Sequence, residues 1–472
     1  MKGRLKKILS HPIFVLNLMQ KPFKQDVLII VNKGDRDALG LFSTYCYLKY
    51  AHKIKVKAHS ALFMPNFWIK FYRPSVIVNI LADNISTKKT YELSGEMGCK
   101  CIMSPTETYV YDSAVESFFL GHYNFNILTE KILLAGDEMK SLYIRNGRAS
   151  EEIIKVVGYP MLDWSKEIGR VCFPSRENLR KKYKLPKNKK IILIATSFNM
   201  ADINIDDWNT RYKHINIAKE KAINIINATK IVREKTLSYI SRLLEKNPDW
   251  HFIIKKHPFE EKCLYTDIFS KNPRITQLHD EQFYNLLIVS DALIHWHSTT
   301  SLQAWGFDKP TFLLWFDESS KIGIRKSSSQ NIGNYICSSF EELEQSLKDN
   351  FYSGKMPAVQ IEAREKYIKE WYYKMDGLSS KRAALEIYKT LKETNGKISY
   401  SMSPLDFIRG VKGIIKYSFF FTLVRLRDRM GISSLNWFSK EILNYYDNFY
   451  LELHKIHYED KLKKYLEKNQ KL

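Results

Sequence analysis

Short apolar runs separated by polar turns organise the first two-thirds of this chain. After Asp26, the run Val-Leu-Ile-Ile-Val31 is hydrophobic without a break, the pattern of a strand covered on both faces. The polar loop NKGDRDALG follows it, then helical spacing from Leu39 to Tyr50. Run, loop and helix then recur: KIKVKAH (53–59), PSVIVNIL (74–81), KCIMSP (100–105), TEKILLAG (129–136) and IIKVVGYP (153–160) read as further strands. Strands alternating with helices predict a parallel, doubly wound sheet over 26–168. The charged, proline-bearing stretch 169–190 reads as a linker. IILIAT (191–196) opens a second series, with a long helical segment at about 214–246 and HFIIKK, RITQL, DALIHW and PTFLLW as later strands. The pattern predicts an α/β protein of two Rossmann-like lobes, 26–168 and 191–354. A basic segment (1–25) precedes them; return helices (355–398) and a basic helical tail (399–472) follow.

The tail has a different periodicity. In LDFIRGVKGIIKYSFFFTLVRLR, apolar residues recur at helical spacing with Arg409, Lys412, Lys416, Arg425 and Arg427 between them. A second helical pattern runs through Leu435, Phe438, Ile442, Tyr445, Phe449, Leu453 and Ile456. Such a tail suits a helical hairpin packed on the lobes, a helix lying on a membrane surface, or a site for a polysaccharide-assembly partner. Lys and Arg outnumber Asp and Glu by 74 to 51, a formal charge of +23. The excess is spread along the chain, so it fits either a basic composition or an anionic partner such as a nucleotide, a charged glycan or a membrane. No nucleic-acid-binding module accompanies it. The six cysteines are scattered, and Cys99-Lys-Cys101 has the wrong spacing for a zinc knuckle. The N-terminal apolar stretch is broken by His11, Pro12 and Asn17, and no run reaches the length of a membrane span. These features place the protein on the cytoplasmic side, with peripheral contact at the inner membrane as the tail's second reading.

Two segments carry the chemistry. HFIIKKHP (251–258) is a strand ending in a His-Pro turn, where His257 can donate to an anion. Lys255 and Lys256 point to opposite faces, so one of them at most faces a ligand. SDALIHWHSTTSLQAWGFDKPTFLL (290–314) reads as strand, polar turn, helix and strand. Ser298, Thr299 and Thr300 then stand at a helix start, where backbone N–H groups favour a phosphate; simple capping of that helix is the plainer role. Thr196 and Ser197 end the first strand of the second lobe and suit a ligand to base or phosphate. Arg36 and Asp37 follow the first strand, and Arg36 can grip a substrate carboxylate with its guanidinium fork. His295 and His297 flank Trp296 like a zinc pair, but no third ligand follows, and no metal site is expected. Asp163 can cap the helix that follows it, and Glu107 can be a solvated loop acid. Walker, GxGxxG, GxSxG and HExxH motifs are absent from the sequence.

The order of KGDRDALG (33–40), SPTETYVYDS (104–113), VVGYPMLDW (156–164), ILIATSFNMAD (192–202), NPDWHFIIKKHP (247–258) and the 290–314 segment resembles the bacterial surface-carbohydrate glycosyltransferases of the two-lobe GT-B type. Within them it is most similar to the retaining Kdo transferases of capsule and lipopolysaccharide assembly. The resemblance implies a metal-independent transferase without a resident cofactor. The donor would be a CMP-linked ulosonic acid such as Kdo and the acceptor a glycan or glycolipid. It implies Asp163 as the nucleophile forming a glycosyl-enzyme and Glu107 as acid/base toward the acceptor, with Glu92, Glu96 and Asp112 as neighbouring alternatives. Tyr159 and Met161 depart from the family's Asn and Arg, and Gln303 stands where many relatives carry the Glu of the nucleotide site. Similar segments occur in CDP-glycerol transferases and sugar-nucleotide epimerases. The alternatives are therefore a CDP-alditol phosphotransferase, an epimerase, or a degenerate pair of lobes that binds nucleotide-sugar or glycan as a scaffold.

Overall fold

The computed structural model describes residues 23–31, 36–60, 65–79, 85–105, 129–206, 208, 219–257, 260, 263–279, 281–322, 329–394, 402–413 and 456–469. The chain divides into two compact units. The first holds the described residues up to Asp163 and again from Trp371 onward; the second holds Trp164–Glu370.

The first unit is built on six strands, β1 (Val27–Val31), β2 (Val56–Ser60), β3 (Val76–Asn79), β4 (Lys100–Met103), β5 (Lys131–Leu134) and β6 (Ile154–Val156), in the order β2-β1-β3-β4-β5-β6. All pairs are parallel. Every residue of β1 is buried, which is why its apolar run has no alternation. Helix α1 (Arg36–Cys46) follows β1.

The second unit carries β7 (Lys190–Ala195), β8 (Trp250–Lys255), β9 (Ile275–Gln277), β10 (Ala292–His295), β11 (Thr311–Leu314) and β12 (Tyr335–Cys337), in the order β12-β11-β10-β7-β8-β9. These pairs are parallel too. Ile192, Ile194, Phe252, Ile254, Ile294 and Phe312 pack in one core. Ile191, Leu193, Ile253 and Leu293 pack in another. Successive residues of one strand thus feed two cores, as the period of two requires. From β7 the chain steps outward through β8 and β9, then returns to β10 on the other side of β7. The β7–β10 junction is therefore a topological switch point, where sheets of this kind leave a crevice beyond their C-terminal strand ends.

Helix α2 (Lys219–Lys246) is the long helix expected from the sequence. The stretch 169–190, expected to link the lobes, carries the helix Arg176–Lys182, capped by Ser175. It belongs to the second unit, where Arg176 pairs with Asp291 at 2.7 Å. Helix α3 (Thr300–Gly306) follows β10. Of the expected return helices, α4 (Ala358–Tyr372) carries the end of the second unit and α5 (Ser379–Glu393) lies in the first. In the tail, 404–413 is helical, as is α6 (Ile456–Asn469). Glu459 of α6 accepts from Lys49 at 2.6 Å and Tyr50 at 2.5 Å. The apolar positions from Leu435 to Leu453, and Lys416, Arg425 and Arg427, lie outside the described residues. Among the described residues, no helix is long and apolar enough to cross a membrane.

Candidate functional site

Three loops of the second unit meet at the switch point. Ala195 is in register with Lys255 on one side and His295 on the other, so β7, β8 and β10 end together. Beyond them, the Ser197 hydroxyl donates to the Trp296 carbonyl at 2.5 Å, and the His257 N–H donates to the Thr196 hydroxyl at 3.1 Å. The segments singled out separately from the sequence, 196–197, 255–257 and 296–300, are thus one hydrogen-bonded cluster.

A buried carboxylate that the sequence reading passed over ties two of these loops. Glu260 accepts from the Thr196 hydroxyl at 2.7 Å, from the Phe198 N–H at 2.5 Å and from the Tyr265 hydroxyl at 2.5 Å. Burial pushes its carboxyl above the ordinary range, against the pull of those donors. Three residues after His257 in an otherwise unremarkable stretch, Glu260 gave no signal beyond its proximity to the His-Pro turn. The two lysines are also engaged: the Lys255 ammonium donates to the His279 carbonyl, and the Lys256 ammonium to the Glu260 carbonyl at 2.7 Å. Thr196 is buried and its hydroxyl is spent within the protein, so its part is to shape the loop.

The turn after β10 caps its own helix. Ser298 Oγ accepts from the Thr300 N–H at 3.4 Å and the Thr300 hydroxyl at 2.8 Å. The Ser301 N–H reaches the Ser298 carbonyl at 3.3 Å, and the Ser298 N–H donates to His295 Nδ1 at 3.3 Å. Several N–H groups that the sequence reading reserved for a phosphate therefore have internal acceptors. Thr299 is exposed beside them. His295 is fully buried and both of its nitrogens are engaged, Nε2 with Asn334 at 3.2 Å, so it is not half of a zinc pair. His297 has a left-handed backbone, φ +44°, an uncommon state for a residue with a side chain. Its ring lies edge-on to Trp296 and Trp315, and both ring nitrogens are buried without a hydrogen-bond partner. Burial pulls its pKa down to about 3. Gln303 Oε1, in the first turn of α3, is likewise buried without a partner. Unpaired polar atoms of this kind mark a place where a ligand or water has something to satisfy.

Asp163, Arg36 and Glu107 belong to the first unit. Asp163 is 1% exposed. Its two oxygens accept from the Ser379 N–H at 3.1 Å and the Ser380 N–H at 2.7 Å. Helix α5 has no side-chain cap of its own at Leu378, so Asp163 caps it from far along the chain. Its burial pushes the carboxyl up to about 6, opposed by the Ser380 and Ser379 donors. The helix it caps is α5, not the one that follows it in sequence. Arg36 is the first residue of α1; its side chain is outside the described residues, as is the whole of Glu107, with Asp37 and Asp112 in the same position.

Two doubly wound units, the second with converging loops at its switch point, define a protein of the GT-B-like α/β class. Solved structures agree on the fold. The S. aureus MnaA–UDP co-structure matches with a TM-score of 0.52 at 13% identity, covering 80% of this chain and 100% of the other. A histidine variant of the wall teichoic acid polymerase TagF, soaked with CDPG, matches with a TM-score of 0.51 at 14% identity, covering 84% and 96%. A UDP-N-acetylglucosamine 2-epimerase matches with a TM-score of 0.52 at 11% identity, covering 80% and 99%. No curated protein matches in sequence. Residues 116–389, more than half of the chain, match the model of the CDP-glycerol:poly(glycerophosphate) glycerophosphotransferase family, and the chain belongs to that family of transferases. Of the expectations drawn from the sequence, this favours the CDP-alditol reading over Kdo transfer.

Proposed function

We propose that the protein is a CDP-alditol-dependent phosphotransferase of surface-glycopolymer synthesis, moving a glycerol phosphate unit from CDP-glycerol to the hydroxyl end of a polymer acceptor. The family match over 116–389, which spans the whole second sheet, carries this reading. The CDP moiety would sit at the C-terminal edge of that sheet, among the loops after β7, β8 and β10. The acceptor hydroxyl attacks the phosphorus of the glycerol phosphate unit, the bond to CMP breaks, and CMP leaves with the electron pair. The hydroxyl proton needs an acceptor, and we assign that role to His257. Ser298, Thr299, Thr300 and Gln303 would line the donor side, with Ser197 and Lys255 shaping it. Asp163 serves as a remote helix cap and takes no covalent part.

The test supplies purified protein with CDP-glycerol and a glycerol-phosphate-terminated primer, and follows CMP release and primer mass. Growth of the primer by glycerol phosphate units, lost in His257→Gln with folding intact, is the expected result. CMP released only from CMP-Kdo restores the ulosonic-acid reading. Nucleotide binding without turnover of either donor points to the scaffold.

A further inference from the structure

Behind the turn after β10 runs a line of buried side chains whose donor directions are all forced. Arg364 of α4 is 5% exposed, and its guanidinium donates to neutral acceptors. Its Nε donates to the Gly333 carbonyl at 2.8 Å, one terminal nitrogen to the Lys309 carbonyl at 3.1 Å, and the other to Thr311 Oγ1 at 2.9 Å. The indole N–H of Trp305 donates to the same hydroxyl oxygen at 2.9 Å. A guanidinium and an indole can only donate, so both lone pairs of Thr311 Oγ1 are occupied. Its single proton must then go to Asn334 Oδ1, 2.6 Å away.

That fixes the amide. The Asn334 nitrogen faces the Asn331 carbonyl at 3.3 Å, so a flipped amide would oppose two acceptors there and leave the Thr311 proton with no acceptor. Asn334 Oδ1 cannot donate, so the proton in the 3.2 Å contact with His295 belongs to Nε2. His295 Nδ1 is then bare, and it is the acceptor of the Ser298 N–H at 3.3 Å. We propose that Arg364 is a positioning residue for the donor site: through Thr311 and Asn334 it dictates which nitrogen of His295 carries the proton, and so holds the Ser298 turn in place. The positioning step stands on the geometry; its consequence for a donor rests on the proposed function. Among the described residues, the charged or titratable groups that act on His295 are Arg364 from α4 and His297 from its own loop. Burial keeps His295 neutral, with a pKa of about 4.

The experiment uses the full chain as wild type, Arg364→Met and Asn334→Asp. Imidazole 15N shifts read the His295 tautomer without ligand, and calorimetric titration with CDP reads the site from pH 6 to 8. Wild type is expected to show Nε2–H alone and to bind CDP with an affinity that His295 leaves flat over that range. Arg364→Met frees the Thr311 hydroxyl to turn, so both tautomers appear and CDP binds about tenfold more weakly, the equivalent of one lost hydrogen bond. In Asn334→Asp a carboxylate draws a second proton onto His295; Nδ1 stops accepting, and CDP affinity falls as pH drops toward 6. The inference is overturned by an Nδ1–H wild type, or by Arg364→Met with a pure Nε2–H tautomer. Should Arg364→Met not fold, Asn334→Asp with a flat profile at wild-type affinity overturns it. Wild type that binds no CDP defeats the donor reading instead, and the tautomer measurement still decides the relay.

Discussion

At the scale of single residues, Asp163 and Glu260 stand where burial works against their charge and backbone donors work for it. Asp163 is the clearer case, because α5 starts with no local cap and the Asp163 carboxylate takes the first two N–H groups. A carboxylate there also meets the positive end of a 15-residue helix. Asp163→Ala is expected to cost about 2 kcal/mol of stability, from two stranded donors and a lost cap. Chemical denaturation checks this; a variant as stable as wild type but without activity would return Asp163 to a catalytic role. The motif around it, GYPMLD, was legible as a cluster of unusual residues, but its purpose was not. Ser379 is 216 residues further on, and no local pattern announces such a contact. Glu107 and the Arg36 side chain, read from the first lobe's loops, stay outside the described residues.

At the scale of elements, two glycines decide how closely backbones and rings approach. Gly158 has φ +87°, and a Cβ there would stand 2.4 Å from Ser379 Oγ and 3.0 Å from Arg382. Gly158→Ala should cost about 1–3 kcal/mol through backbone strain and displacement of the α5 start. Gly333 lies against the Trp305 ring, 2.7 Å from a built Cβ, beside Arg364. Gly333→Ala should lower the thermal midpoint by forcing Trp305 and Arg364 apart, a cost of about 1–3 kcal/mol, and calorimetry measures both. Along the tail helix 404–413, Leu405 is 63% and Ile408 49% exposed, with Arg409 and Lys412 on the same segment. Apolar side chains interleaved with cations suit the surface of an anionic bilayer. Co-sedimentation with vesicles containing phosphatidylglycerol should fall in Leu405→Ser/Ile408→Ser; unchanged binding would remove this helix from any membrane role. The strands, by contrast, were legible almost residue by residue. Parallel strands buried on both faces call for near-continuous apolar runs, as β1 shows throughout, β7 after the exposed Lys190 and β10 up to His295.

For the molecule as a whole, histidines held neutral by burial set the response to acid. His295 and His59 are drawn down to about 4, His251 to about 4, and His297 to about 3. Each binds a proton more weakly folded than unfolded, so stability is present above pH 6.5 and lost as pH falls through 6.5 toward 4. Asp163, raised to about 6, acts in the opposite sense: it favours the fold as pH drops through 6 toward 3.8. Glu260, also raised, acts with it. At about 1.4 kcal/mol per tenfold change in proton affinity, His295 and Asp163 nearly cancel, and His297 with the other histidines tips the sum. The thermal midpoint is therefore expected to fall between pH 7 and pH 4, and to fall less in His297→Asn. A midpoint that rises on acidification would show Asp163 and Glu260 in control.

Read alone, the sequence determined the two parallel sheets and the strand-end segments from which a ligand site can be made, because periodicity and turn chemistry are local properties. It also held the match to the family over 116–389. Which of those segments share one sheet edge, which carboxylate is spent on a distant helix, and which arginine governs a histidine's proton were decided only in three dimensions. Hydrogen bonds between residues far apart in the chain depend on register and close approach, and neither leaves a trace in the spacing of neighbours.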